Sequence, residues 1–184
     1  MNIVQLSKDL MYQQTKINKA PAWRLTELAI LKGKELAKKY QVDERLVLTS
    51  LYLAHTVFSP IWAGEIQQNH TKLSAEFSKK YLDEWNISEE EQKIILNSIR
   101  AHHNEVETET KIAEIVKNAQ CFKFVTVEGA LIYLHEWGLR QVSYEEAREK
   151  VLQKMDQKRK LLTLEECMTE AEKNCAEIRK IFGS

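Results

Sequence analysis

The stretch from Asp43 to Pro60 constrains this chain more than any other. It reads DERLVLTSLYLAHTVFSP, and Leu46, Val47, Leu48, Leu51, Tyr52, Leu53, Ala54, Val57 and Phe58 leave almost no polar face when wound on a helix. A helix that is apolar all round belongs in the middle of a protein. Asp43 has the side chain of an N-cap, and Pro60 keeps the helix from running on. The longest stretch without a charge runs between Arg45 and Glu65. Thr49, Ser50, His55, Thr56, Ser59 and Pro60 break it up, so it reads as a buried helix and a loop rather than a membrane span.

Other helices must cover this one, and the rest of the chain supplies them. Two prolines and five glycines in 184 residues are few turn signals, which favours helices over a many-turned β fold. A short helix is expected over about residues 3–14, and a second from Pro21 to about Tyr40. Ser59–Asn69 reads as a loop or lid, and about His70–Trp85 as a helix with Leu73, Phe77 and Tyr81 on one stripe. Ser88 with Glu91 forms a capping box for a helix to about His103. After the polar Asn104–Thr110, helices are expected over Lys111–Phe124 and Val127–Trp137, the second stopped by Gly138. Boxes at Ser143/Glu146 and Thr163/Glu166 open two more, the last with a stripe of Leu164, Met168, Ala171, Cys175, Ile178 and Phe182. The expected architecture is a single all-α domain, a bundle core over about 20–140 and a C-terminal helical hairpin over 143–183.

An apolar fraction of 43% supports a packed core. Lys plus Arg and Asp plus Glu both number 27, so no global field recruits nucleic acid or a membrane, and any anion site must be local. Cys121, Cys167 and Cys175 are odd in number and widely spaced, which fits a reducing compartment rather than a disulfide or zinc framework. MNIVQLSKDLMYQQTK lacks the apolar core of a signal peptide. The expected location is the cytoplasm. Trp23, Trp62, Trp85 and Trp137 show no stacking-platform spacing and read as core or loop anchors.

The chemistry is in the histidines. His55 ends the most apolar helix, where an imidazole is costly to bury without a partner. His70 opens a helix, and His102 and His103 close another just past the stripe of Ile95 and Ile99. Histidines brought by separate helix ends are how a bundle assembles a site. His135, beside Tyr133 and Trp137, stands apart and reads as structural. No glycine-rich phosphate loop and no Cys–His pair accompanies them.

The succession LVLTSLYLAHTVFSP, NHTKLSAEF, ISEEEQKIILNSIRAHH and KIAEIVKNAQCFKFV resembles the HD superfamily of metal-dependent phosphohydrolases in order and spacing, over about residues 20–140. The tail from Ser143 resembles the Glu/Lys-rich terminal helices of its small members. The resemblance implies an HD-type bundle acting on, or only binding, a phosphorylated small molecule such as a nucleotide, with a divalent metal on His55, His70, His102 and His103. It also marks three departures. Leu25 stands where an early histidine is expected, Thr56 follows His55 in place of an aspartate, and Gln120 follows Ala119 in place of a second. Asn118 stands where many relatives carry a further acid.

Hard cations such as magnesium and manganese want anionic oxygens, which Thr and Gln do not supply. The departures therefore imply loss of the usual metal-dependent activity. Neutral imidazoles suit zinc or nickel, with Glu65 or Glu105 as sources of a missing oxygen; a protein without metal is the other outcome. Arg100, Lys117 and Lys123 are the candidate phosphate-binding cations, helix-surface charge being their alternative reading. A reading from another class is an interaction protein that keeps the bundle as a scaffold and uses the terminal hairpin to bind a partner or a second copy of itself.

Overall fold

The computed structural model describes residues 2–58, 64–103 and 106–183, with residues 64–68 described by their backbone alone. They form an all-α bundle: α1 Ile3–Asn18, α2 Trp23–Tyr40, α3 Glu44–Leu53, α4 Gly64–Glu84, α5 Glu89–Ala101, α6 Lys111–Phe122, a 3-10 turn Lys123–Val125, α7 Val127–Gly138, α8 Tyr144–Arg159 and α9 Glu165–Ile181. No described helix is long and apolar enough to cross a membrane.

The apolar helix is the centre. Every residue from Leu46 to Thr56 is buried, and α3 packs against α1, α2, α5 and α6. Fully burying one Leu is worth about 2 kcal/mol, so Leu46, Leu48, Leu51 and Leu53 together make α3 the main apolar mass of the core. Gly33 lets α2 lie close on α3, since a Cβ there would meet the Leu51 side chain.

The caps act as the sequence indicated at Asp43, Ser88 and Ser143. Their side chains accept from the backbone N–H of Arg45 (2.8 Å), Glu91 (3.3 Å) and Glu146 (3.1 Å). Glycine scarcity did not mean a scarcity of turns. Lys19, Gln41, Asn86 and Gln141 take the left-handed conformation at φ 52 to 60°, which costs an ordinary residue about 1 kcal/mol. Gly138 does end α7, but the chain reverses at Gln141 rather than at the glycine.

α1 runs on to Asn18 and α2 starts at Trp23 rather than Pro21, and four further boundaries differ from expectation. α3 stops at Leu53, well before Pro60, because its last carbonyls find side-chain partners: Thr56 Oγ1 donates to the Leu53 carbonyl (3.1 Å), and Ser74 of α4 bonds both N–H and C=O of Val57 (3.1 and 3.3 Å). α4 begins at Gly64, so much of the expected Ser59–Asn69 loop is helix; residues 59–63, with Pro60 and Trp62, lie outside the described residues. α6 tightens into the 3-10 turn at Lys123 instead of running to Phe124. Thr163 is not the cap of α9. Its N–H and that of Leu164 donate to Asn118 Oδ1 (2.9 and 3.1 Å), while Asn118 Nδ2 donates to Thr163 Oγ1 and to the Glu114 carbonyl (2.9 Å each). Asn118, fully buried, thus clasps the start of α9 to α6.

α8 and α9 form the C-terminal hairpin, packed on each other, on α6 and α7, and against the 3-10 turn. Its buried line on α9 is Leu164, Cys167, Ala171, Cys175, Ile178 and Phe182. Met168, expected on that stripe, is 41% exposed, because Cys167 takes the inward position one residue earlier. Lys32 ties α2 to this hairpin through Glu170 (2.7 Å).

Candidate functional site

The bend after Leu53 turns His55 inward. α4 brings His70 from its second turn, and the end of α5 brings His102 and His103. All four converge. One ring nitrogen from each lies within 4.8 Å of the others. His55, His70 and His102 are 7%, 2% and 0% exposed, and His103 is half-buried. His55 and His70 stack at 5.3 Å between centroids, and His102 and His103 lie 4.4 Å apart edge to face. His135 is exposed on α7, away from them.

The protonation of this cluster follows from its surroundings. Burial pushes His55 well below the ordinary histidine range, and Lys123 adds to the effect. Burial and then the neighbouring His70 and Lys158 do the same to His102, and burial and His102 to His103. These three are neutral imidazoles, each with one lone pair to offer. At His102 the tautomer is fixed. Its Nδ1 lies 2.6 Å from the Ile99 carbonyl, which can only accept, so Nδ1 carries the hydrogen and Nε2 faces the cluster with its lone pair. His70 Nε2 lies 3.4 Å from that atom. Ligands placed tetrahedrally at about 2.0 Å from zinc sit roughly 3.3 Å apart, so this pair already has the required separation.

His55, His70 and His103 form one end of a cavity of about 230 Å³; His102 lies behind them. The lining also brings three cations, Lys123, Lys154 and Arg140, and one carboxylate, Glu136. Leu25, Phe58, Phe124 and Tyr133 give the cavity apolar sides. The Lys123 and Lys154 ammonium groups lie 5.2 and 5.4 Å from the centroid of the same Phe124 ring. Lys123 is 2% exposed and donates to Gln120 Oε1 at 2.6 Å. Burial, then the neighbouring Lys158, bring its pKa down to about 7 and that of Lys154 to about 8.

The 3-10 turn places Lys123 here. Thr126 Oγ1 donates to the Lys123 carbonyl and accepts from the Gly129 N–H, both at 3.0 Å. A Cβ on Gly129 would collide with that same carbonyl. Only glycine lets α7 start this close to the turn.

The remaining candidates separate. Leu25 faces the cavity, so the α2 register assigned to the missing histidine does point at the site. Thr56 does not line the cavity; its hydroxyl bonds the Leu53 carbonyl and lies 3.4 Å from Ser78 Oγ on α4. Gln120 sits behind Lys123, its Nε2 donating to the Leu51 carbonyl (3.3 Å). Two of the three cations fall elsewhere. Arg100 is exposed in a groove between α4 and α5 with Lys72 and Lys79, and Lys117 is buried on α6 without lining the cavity. Lys117 and Lys123 are 6% and 2% exposed, which excludes plain surface charge for both. The side chain of Glu65, and Glu105, lie outside the described residues.

Lys154 and Arg140 were missed because they come from the segment read as an appended hairpin and its connection. One signal was available: Lys150, Lys154 and Lys158 recur at helical spacing on α8, beside the apolar line of Ala147, Val151 and Met155. Lysines on the margin of a buried face are where cations enter an interior site.

No family model matches the chain, and no curated protein matches it by sequence. Its fold is similar to the crystal structure of a Lactobacillus plantarum protein solved as a Northeast Structural Genomics target, with a TM-score of 0.74 at 13% identity, covering 98% of this chain and 93% of that one. At that identity the likeness concerns the fold alone.

Proposed function

We propose that this chain is a divergent HD-superfamily protein that binds a phosphorylated small molecule, of the nucleotide class, in the cavity between the histidines and Lys123. The observation that carries the reading is the convergence of His55, His70, His102 and His103 from three helices, three of them lining one cavity that Lys123, Lys154 and Arg140 also line. The order of these elements along the chain supports the family.

The donor set fits a borderline transition metal such as zinc or nickel. Imidazole nitrogens offer nothing that magnesium or manganese prefers, and Thr56 and Gln120 are engaged with backbone carbonyls. When bound, such a metal would supply Lewis acidity toward water and phosphoryl oxygen. The chain's own groups do the rest. Ile99 holds His102 in the ligating tautomer, and Lys123 and Lys154 hold phosphoryl oxygens. The rings of Phe58, Phe124 and Tyr133 take the flat apolar part of the ligand, and Leu25 keeps water from the histidine end.

Elemental analysis of protein purified without chelator tests this, run beside a phosphatase screen with and without added manganese. Close to one zinc or nickel per chain, lost on His70→Ala with His102→Ala, is the expected outcome. Metal-free protein that takes up neither ion would remove the metal from the proposal. Manganese-dependent turnover would show the carboxylate argument to be mistaken.

A further inference from the structure

We infer that metal and anion enter this cavity as coupled ligands, a phosphate-type anion between the histidines and the Lys123–Lys154 wall completing a metal site that the protein leaves unbalanced in charge. The inference rests on the histidines holding a metal, and adds what else the site must then contain.

Among the described residues, the cluster of possible ligands consists of histidine alone. A divalent ion placed there meets imidazoles alone, because Glu136, the one carboxylate of the cavity lining, is not part of that cluster. The two positions at which the family would supply carboxylates do not offset the ion's charge, because Thr56 turns to α4 and Gln120 to the Leu51 carbonyl. The same cavity presents two ammonium groups, both drawn to the Phe124 ring from its side of the space. The charges acting on Lys123 and Lys154 are chiefly those of other lysines: Lys158 acts on both, and Lys154 on Lys123. A metal and these lysines therefore repel one another across a space of low dielectric, where such repulsion is felt strongly.

An anion reverses the sign of both interactions at once. A phosphate has oxygens enough to ligate a metal on the histidine side while accepting from Lys123 and Lys154 on the other, and ammonium–phosphate hydrogen bonds are among the strong ones. The cavity volume of about 230 Å³ accommodates such a bridge. In an ordinary site the protein provides the balancing charge and the metal stays when substrate leaves. Here the ligand provides it. The metal should be held weakly by the free protein and firmly by the complex. Thermodynamic linkage requires the reverse as well: metal strengthens anion binding by the same factor.

The test is a zinc titration of the metal-free full-length protein by calorimetry, with free zinc held low by a metal buffer. It is run without phosphate and with inorganic phosphate, and then reversed by titrating phosphate into metal-free and zinc-loaded protein. Zinc affinity should rise roughly tenfold or more with phosphate, and phosphate affinity by the same factor with zinc. In a Lys123→Met/Lys154→Met variant the factor should fall towards one, while zinc affinity in the absence of phosphate rises. Lys154→Gln alone, at a half-buried position that the fold tolerates more readily, should cut the coupling several-fold. Zinc affinity that is the same with and without phosphate would overturn the coupling and leave the metal site standing. Zinc binding that never appears, with or without phosphate, would overturn the metal reading and the coupling with it. Coupling that survives intact in both lysine variants would overturn the role given to this wall.

Discussion

Lys32 and Lys123 are buried to nearly the same depth, 4% and 2% exposed, yet the protein treats them in opposite ways. Lys32 bonds Glu170 and Glu35 at 2.7 and 3.0 Å and lies 4.2 Å from the Phe122 ring. Burial alone would lower its pKa; the two carboxylates outweigh burial and hold it above the ordinary lysine value. Lys123 has a neutral amide as its hydrogen-bond partner and other lysines as its charged company, and its pKa is brought down to about 7. The first is a strut between α2 and α9. The second has no carboxylate among the charges that act on it. A buried cation without a counter-charge costs stability, and such costs concentrate at functional sites.

The two regions are each flanked by a glycine under close approach, and that gives the largest expected difference. Gly129→Ala pushes a methyl into the Lys123 backbone carbonyl, which the 3-10 turn cannot yield. A loss of about 3 kcal/mol is expected in denaturant unfolding, with loss of phosphate binding as the turn shifts. Gly33→Ala meets the end of the Leu51 side chain, which can rotate away. Its cost should be about 1 kcal/mol, with phosphate binding unchanged. Equal costs for the two would break the distinction between a yielding and an unyielding neighbour.

Exchanging the lysines themselves should give effects of opposite sign. Lys32→Met leaves Glu35 and Glu170 without their cation and should destabilise by about 1 kcal/mol, a figure kept low because both carboxylates are half-exposed. Lys123→Met removes a buried charge and should stabilise the anion-free protein by about 1 kcal/mol, after allowing for the lost bond to Gln120. Added phosphate should then raise the melting temperature of the parent but not of this variant. Destabilisation by both substitutions would make Lys123 a second strut.

The two lysines also differ in pH dependence. The folded pKa values of Lys123 and Lys154, about 7 and about 8, lie below the unfolded lysine value. Between them the unfolded chain binds more protons, so the stability of the anion-free protein should rise with pH, by on the order of 1 kcal/mol per unit between about pH 8 and 10. The groups facing these lysines are Lys158 and Cys121 as well as each other. Lys32 has the opposite sign: its pKa is raised, so its contribution is present below the unfolded value and is lost as pH rises through the folded one. A stability profile measured by urea unfolding that rises no more between pH 8 and 10 than that of the Lys123→Met/Lys154→Met variant would count against the uncompensated wall, the comparison cancelling the opposite contribution of the buried thiols.

What was legible in the sequence was local. Helical period, the caps at Asp43, Ser88 and Ser143, and the all-round apolar character of Leu46–Phe58 depend on residues within a turn or two of each other. They fixed the helical class and the burial of α3. The four histidines were also legible, because each lies beside an apolar stretch already visible in the sequence. Tertiary structure alone decided which other groups meet them. Thr56 follows His55 directly, yet a bend held by Ser74 sends it to α4 while His55 faces the cavity. Asn118 clasps residues 45 positions away, and Lys154 reaches the site from a hairpin that the sequence separates from it. Such meetings depend on how α7 and α8 fold back over the core, which a three-residue turn and the closeness of Gly129 to a carbonyl determine. Periodicity says which face of a helix turns inward; it does not say which other helix that face will find there.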